Sequence, residues 1–150
     1  MKRILMVLAT VALAACNLDT PVASDTPSDP ATETFASSLK INLAAMTKTP
    51  NGVYYRESVV GTGNTLPGVQ TVVITYAGFL KDGSLFGSGE QQQVAMTALP
   101  YGLQEGMPGM KEGGERVFVI PSALGYGPAQ VGSVPPNSTL IFDVKLERIP

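Results

Sequence analysis

The polar chemistry open to this chain is narrow. It contains no histidine and one cysteine, Cys16. Those counts exclude a His/Cys zinc site, a Ser-His-Asp or Cys-His triad and any imidazole base. Carboxylate, lysine and tyrosine chemistry stay open, as does catalysis without proton transfer. No metal or cofactor is called for: "GTGNTLPG" lacks the glycine spacing of a dinucleotide fingerprint, and no Gly-Lys-Ser/Thr occurs. Among the aromatics Tyr126 stands apart, because between Gly125 and Gly127 in a loop pattern a ring has little core to fill. The stretch "LPYGLQEG", Leu99 to Gly106, reads as a turn, a short helix or a pocket floor.

The elements that must position these residues begin well inside the chain. Lys2 and Arg3 precede an uncharged apolar run from Ile4 to Ala15. The run is too short for a bilayer, which takes about 20 residues, and reads as a signal-peptide core over 1–15. Its ending, "LAAC", resembles the bacterial lipobox. The resemblance implies cleavage before Cys16 and lipidation of that cysteine, which would hold the protein on a membrane. Asn17 is not the aspartate of inner-membrane retention, so the expected place is the cell envelope, at the outer membrane facing the periplasm. Loss of Lys2 and Arg3 lowers the positive side chains from 10 to 8 against 12 acids, a net charge near −4. With no basic block, no nucleic-acid partner is expected.

Residues 16–34, rich in Thr, Ser, Asp and Pro, read as a disordered spacer. In 35–49, Phe35, Leu39, Leu43 and Met46 step by four, four and three, which predicts a short amphipathic helix. Thr49-Pro50-Asn51-Gly52 breaks that pattern, and a domain over 50–150 follows. Its strands are "GVYYRESVV", "TVVITYAGFL", the weaker "EQQQVAMTAL", "ERVFVIP" and "TLIFDVKLERI". Asp82-Gly83 marks a turn after the second. Five strands and one short helix at 100–106 predict an α+β fold with a mainly antiparallel sheet.

The order of motifs "VVITYAGFLKDGSLFGSG", "EGMPGMKEGGERVFVIPSALGYG" and "VPPNSTLIFDVKL" resembles the FKBP-type peptidyl-prolyl isomerases over residues 52–150. The resemblance implies a twisted antiparallel sheet wrapped over one short helix. It also implies cis/trans isomerisation of X-Pro bonds in proline-containing peptides or unfolded exported proteins. Carried over by position, Tyr76, Phe86, Tyr126 and Phe142 are the catalytic pocket aromatics, Tyr126 being the one whose hydroxyl bonds a ligand carbonyl. Val134 is a further wall. Val94 and Met96 take the places of two phenylalanines, and Leu99, Pro100 and Leu103 complete the substrate-binding floor.

Three positions depart from the family pattern. Gly87 replaces an aspartate after Phe86, Leu103 replaces the tryptophan floor, and Pro100 replaces an isoleucine whose N–H donates to the ligand. Together they imply weak turnover, altered preference, or a non-catalytic proline-peptide-binding or chaperone module on the same fold.

Overall fold

The computed structural model describes residues 26–150. The expected leader, the lipid-bearing Cys16 and the first part of the spacer lie outside the described residues.

Six antiparallel strands form one sheet: β1 (Thr47–Lys48), β2 (Tyr54–Val59), β3 (Thr71–Leu80), β4 (Leu85–Ala95), β5 (Glu115–Ile120) and β6 (Leu140–Arg148). Their order is β1-β2-β5-β6-β3-β4, so the apolar β3 and β6 lie in the interior. The alternation of β6 divides the sheet into two faces, as a period of two must. Leu140, Phe142, Val144 and Leu146 point into a core with Val72, Ile74, Phe118 and Ile120. Ile141 points the other way, with Val119 and Tyr54.

Helix α1 (Tyr101–Gly106) closes the first face. Pro100 precedes it with extended ψ 142, and its carbonyl accepts from the Leu103 N–H at 2.9 Å. Gly102 and Gly106, one turn apart, let the helix lie directly on β5. A Cβ on Gly102 would fall 2.5 Å from Ile120, and one on Gly106 would fall 2.7 Å from Phe118. The buried Arg116 then ties helix to sheet. Its guanidinium donates to the Gly106 carbonyl at 2.6 Å, pairs with Glu57 at 2.7 Å and lies 4.6 Å from the centre of the Tyr55 ring. A cation on the last carbonyls of a helix is favoured by the helix dipole as well as by the bonds.

The α+β architecture matches the sequence expectation, with differences first in the segments before the domain and second in β4. The helix expected over 35–49 is absent. Instead the chain makes 3₁₀ turns at Ser37–Leu39 and Leu43–Ala45 and then the two-residue β1. Lys40 between the turns has φ 50, which no continuous α-helix accommodates. Phe35, Leu39, Ile41, Leu43 and Met46 still share a destination, since all pack on the second face of the sheet against Tyr54, Val119 and Ile141. The end of the expected spacer is likewise seated: Pro30 is buried, and the Ser28 N–H donates to Ser122 Oγ at 2.8 Å. The second difference is β4, which starts at Leu85 and ends at Ala95, whereas the apolar pattern places that strand over 90–99. Met96–Ala98 is a 3₁₀ turn.

Candidate active site

Three strands and one loop bring the four expected aromatics together. Tyr76 lies on β3, Phe86 on β4 and Phe142 on β6. Phe142 is the hub. Its ring centre is 5.4 Å from Phe86 at an interplanar angle of 87°, and 6.3 Å from Tyr76. Phe86 in turn meets Tyr126 edge-on at 6.4 Å. Edge-to-face contacts at these separations are the favoured aromatic geometry.

Two glycines make room for the rings. A Cβ on Gly78 would come within 2.6 Å of the Phe86 ring and 3.1 Å of Phe142. One on Gly89 would sit 2.8 Å from Tyr76. Sequence reasoning did not single out these positions. For Gly78 the available signal was an isolated glycine inside an apolar strand, which marks close approach of another group; Gly89, in a polar stretch, offered none.

Tyr126 is held by its loop. The Gly125 and Gly127 N–H groups both donate to the Ser122 carbonyl, at 3.0 and 2.8 Å, and the Gly127 carbonyl accepts from the Asn137 N–H at 2.8 Å. Gly127 has φ +60, a conformation natural to glycine. Burial first, and then the neighbouring Tyr76, push the Tyr126 phenol above its ordinary value. Tyr126 is therefore a neutral hydrogen-bond donor throughout the neutral range.

Beneath the aromatics the wall is apolar. Leu103, Met96, Val134 and Phe142 are buried in one cluster, and Val94 and Leu99 are half-buried against it. Leu103 is 1% exposed, so leucine fills the space it occupies. Pro100 is half-buried. Its missing N–H is not supplied by the residue before it, because the Leu99 N–H is spent on the Met96 carbonyl at 2.9 Å. Gly87 lies opposite Gly78 in the ladder, and a Cβ there would have nothing within 4 Å. Of the ten pocket residues expected, nine belong to one packed cluster, and Pro100 directly precedes helix α1 beside them. None carries a formal charge.

Two cavities lie away from this cluster. One of about 560 Å³ is lined by residues of the Thr26–Glu33 segment, the β3–β4 turn and Pro135–Thr139, and contains none of the expected residues. The other, about 480 Å³, shares only Tyr76 with them. It borders Asp143, whose carboxyl is pushed up by burial and by Glu115. Among the described residues no three His, Cys, Asp or Glu side chains gather as a metal site.

An antiparallel sheet packed on one short helix, with an uncharged aromatic cluster carried by β3, β4, β6 and the loop before β6, defines the FKBP class of α+β domain. Residues 63–147 match the family model for FKBP-type peptidyl-prolyl cis-trans isomerase. The chain is 40% identical over 118 residues to the peptidyl-prolyl cis-trans isomerase Mip of Chlamydia trachomatis, covering 76% of this chain and 48% of that protein. It is 39% identical over 99 residues to FkpA of Escherichia coli K12, covering 63% of this chain and 37% of that protein. The crystal structure of FkpA from Escherichia coli superposes with a TM-score of 0.65 at 34% identity, over 75% of this chain and 54% of that one. A peptidyl-prolyl cis-trans isomerase structure from Pseudomonas syringae superposes at 0.66, over 75% of this chain and 85% of that one; at 24% identity it bears on the fold alone. The chain belongs to the FKBP-type peptidyl-prolyl cis-trans isomerase family. It spans less than half the length of the curated relatives named here.

Proposed function

We propose that this chain catalyses cis/trans isomerisation of X-Pro bonds at the Tyr76–Phe86–Tyr126–Phe142 cluster, with unfolded exported proteins as substrates. The observation that carries this reading is the chain of rings through Phe142: Tyr76 and Phe86 both meet it, Tyr126 meets Phe86, and the four form an uncharged cluster in which the Tyr126 phenol is neutral.

The barrier to be lowered is that of an amide with partial double-bond character, about 18–20 kcal/mol. Halfway through rotation the amide loses resonance and its carbonyl loses polarity. An apolar wall therefore favours the twisted amide over the planar one, which is differential binding of the transition state. The Tyr126 hydroxyl donates to a flanking carbonyl and holds the twisted conformer. No proton is transferred and no nucleophile is needed. Turnover is weak or altered in preference, because Leu103 offers no flat indole floor, Pro100 no donor and Gly87 no carboxylate. The expected setting is the cell envelope, with a lipid on Cys16 holding the domain to the outer membrane on the periplasmic side.

A second reading has a specific observation behind it. With Leu99 N–H engaged and Pro100 without one, a bound carbonyl at that end of the floor would lack a partner. Such a site could retain proline peptides without accelerating their rotation.

Exchange NMR on a short X-Pro peptide with the full chain separates the two. Faster cis/trans exchange that is lost in Phe86→Ala supports the isomerase. Peptide-induced shifts at Tyr76, Phe86 and Tyr126 with exchange at the uncatalysed rate support the binding module.

A further inference from the structure

We propose that Ser28, in the segment preceding the family domain, is a positioning residue for the Tyr126 loop. The proposal rests on the reading of Tyr126 as the site's donor.

Ser28 and Ser122 are bonded reciprocally. The Ser28 N–H donates to Ser122 Oγ at 2.8 Å, and the Ser122 N–H donates to Ser28 Oγ at 2.9 Å. The Thr139 hydroxyl also donates to Ser28 Oγ, at 2.8 Å. Ser122 and Thr139 are both buried, at 0% and 2% exposure. A buried N–H or hydroxyl without a partner is costly, so the single oxygen of Ser28 satisfies two demands at once.

What those two residues hold is the loop itself. The Ser122 carbonyl receives the N–H groups of both Gly125 and Gly127, the two flanks of Tyr126. Thr139 directly precedes β6, which carries Phe142. Ser28 Oγ thus joins the root of the Tyr126 loop to the root of the Phe142 strand. Within the five residues from Ser122 to Tyr126, Leu124 and Tyr126 pack on the core, and the Ser122 carbonyl is the backbone point to which both glycines flanking Tyr126 are tied. A change of the order of an ångström in a positioned donor is large for a reaction that depends on hydrogen-bond geometry.

The segment that delivers Ser28 is independently anchored. Glu33 pairs with Lys81 at 2.9 Å, and the Ala36 N–H donates to the Lys81 carbonyl at 2.8 Å. That second anchor supplies the control. Lys81→Ala removes the ion pair to Glu33, keeps the backbone bond to Ala36 and leaves Ser122 and Thr139 untouched, whereas Ser28→Ala removes the acceptor and leaves the anchor.

The test compares Ser28→Ala, Ser28→Thr and Lys81→Ala in the full chain. Three quantities are read: X-Pro exchange rate with its kcat and KM, the Tyr126 ring resonances with hydrogen exchange at the Gly127 amide, and the denaturation midpoint. Ser28→Ala is expected to lower kcat about tenfold at near-constant KM. It is also expected to shift the Tyr126 resonances and speed Gly127 exchange. Ser28→Thr, which keeps the hydroxyl, restores all three, and Lys81→Ala leaves them near the parent. Parent-like Tyr126 and Gly127 signals in Ser28→Ala would overturn the proposal. So would equal losses in Lys81→Ala, since these would trace to general loosening. If the parent chain gives no acceleration, the isomerase reading fails by itself, and the Tyr126 and Gly127 signals still decide the linkage.

Discussion

Phe86 and Phe142 meet in a T-shaped contact beside the backbone of Gly78, with ring centres 5.4 Å apart and planes at 87°. The two phenylalanines come from β4 and β6, on either side of β3. Their contact is possible only because the strand between them carries no side chain at that point. The site is therefore made by an absence in the middle strand as much as by the rings.

Gly78→Ala places a methyl 2.6 Å from Phe86 and 3.1 Å from Phe142. Displacing two packed rings costs about 1–3 kcal/mol, as overpacking does elsewhere. The variant should denature at lower urea and lose X-Pro exchange activity more than in proportion to its unfolded fraction. Unchanged activity with a lowered midpoint would show that the Phe86 position is immaterial.

Tyr126→Phe keeps the ring and removes the donor. A lost hydrogen bond of about 0.5–1.5 kcal/mol corresponds to a fall of roughly two- to tenfold in kcat. Burial raises the Tyr126 phenol above its ordinary value, so the parent's rate should be flat from neutral pH to beyond about 10. A decline centred well below that value would identify another titrating group.

The departures at 87 and 103 differ in what they leave room for. Nothing lies within 4 Å of a Cβ at Gly87, so Gly87→Asp should fold with stability changed by no more than about 0.5 kcal/mol. Leu103 is sealed, so Leu103→Trp should destabilise by about 1–3 kcal/mol while increasing exchange. A rise in rate with Leu103→Trp alone would identify the floor as limiting; a rise with Gly87→Asp alone would identify the missing acid.

Glu112 ties the two ends of the domain. Its carboxylate accepts from the Ile149 N–H at 2.7 Å and from the Asn64 N–H at 3.1 Å, and these bonds hold its pKa below the ordinary carboxylate value. A depressed folded pKa contributes stability that is complete above the unfolded value, near 4.3, and is lost as pH falls through the folded value. The parent should therefore exceed Glu112→Gln in denaturation midpoint at neutral pH, and the gap should narrow below about pH 4. A constant gap from neutral to strongly acidic pH would contradict this.

Much of the fold was legible in the sequence. The interior strands announce themselves through alternation, as in Leu140, Phe142, Val144 and Leu146 against Ile141, Asp143 and Lys145. Helix α1 was readable because "LPYGLQEG" is the one candidate between two strands. The first half of β4 was not, because Gly87, Ser88 and Gly89 look like a loop when read singly. Of these, Gly89 leaves room for the Tyr76 ring. The four-four-three spacing after Phe35 misled for a physical reason. It records which residues must reach the sheet, and a chain of short turns reaches it as well as a helix does. Site positions came from the order of motifs, which carries long-range information that composition lacks. The Ser28–Ser122 pair, 94 residues apart, leaves no local pattern at all.

The placement of Phe35, Leu39, Ile41, Leu43 and Met46 on the second face of the sheet has a practical consequence. An expression boundary drawn at Gly52, where the strand pattern starts, would leave Tyr54, Val119, Ile141 and Phe79 facing water as one sticky patch. Such a fragment would be prone to aggregation and inclusion-body formation, however sound its catalytic end. A boundary that keeps this face covered and retains the Ser28 contacts falls at or before Ser28, some two dozen residues before the first long strand.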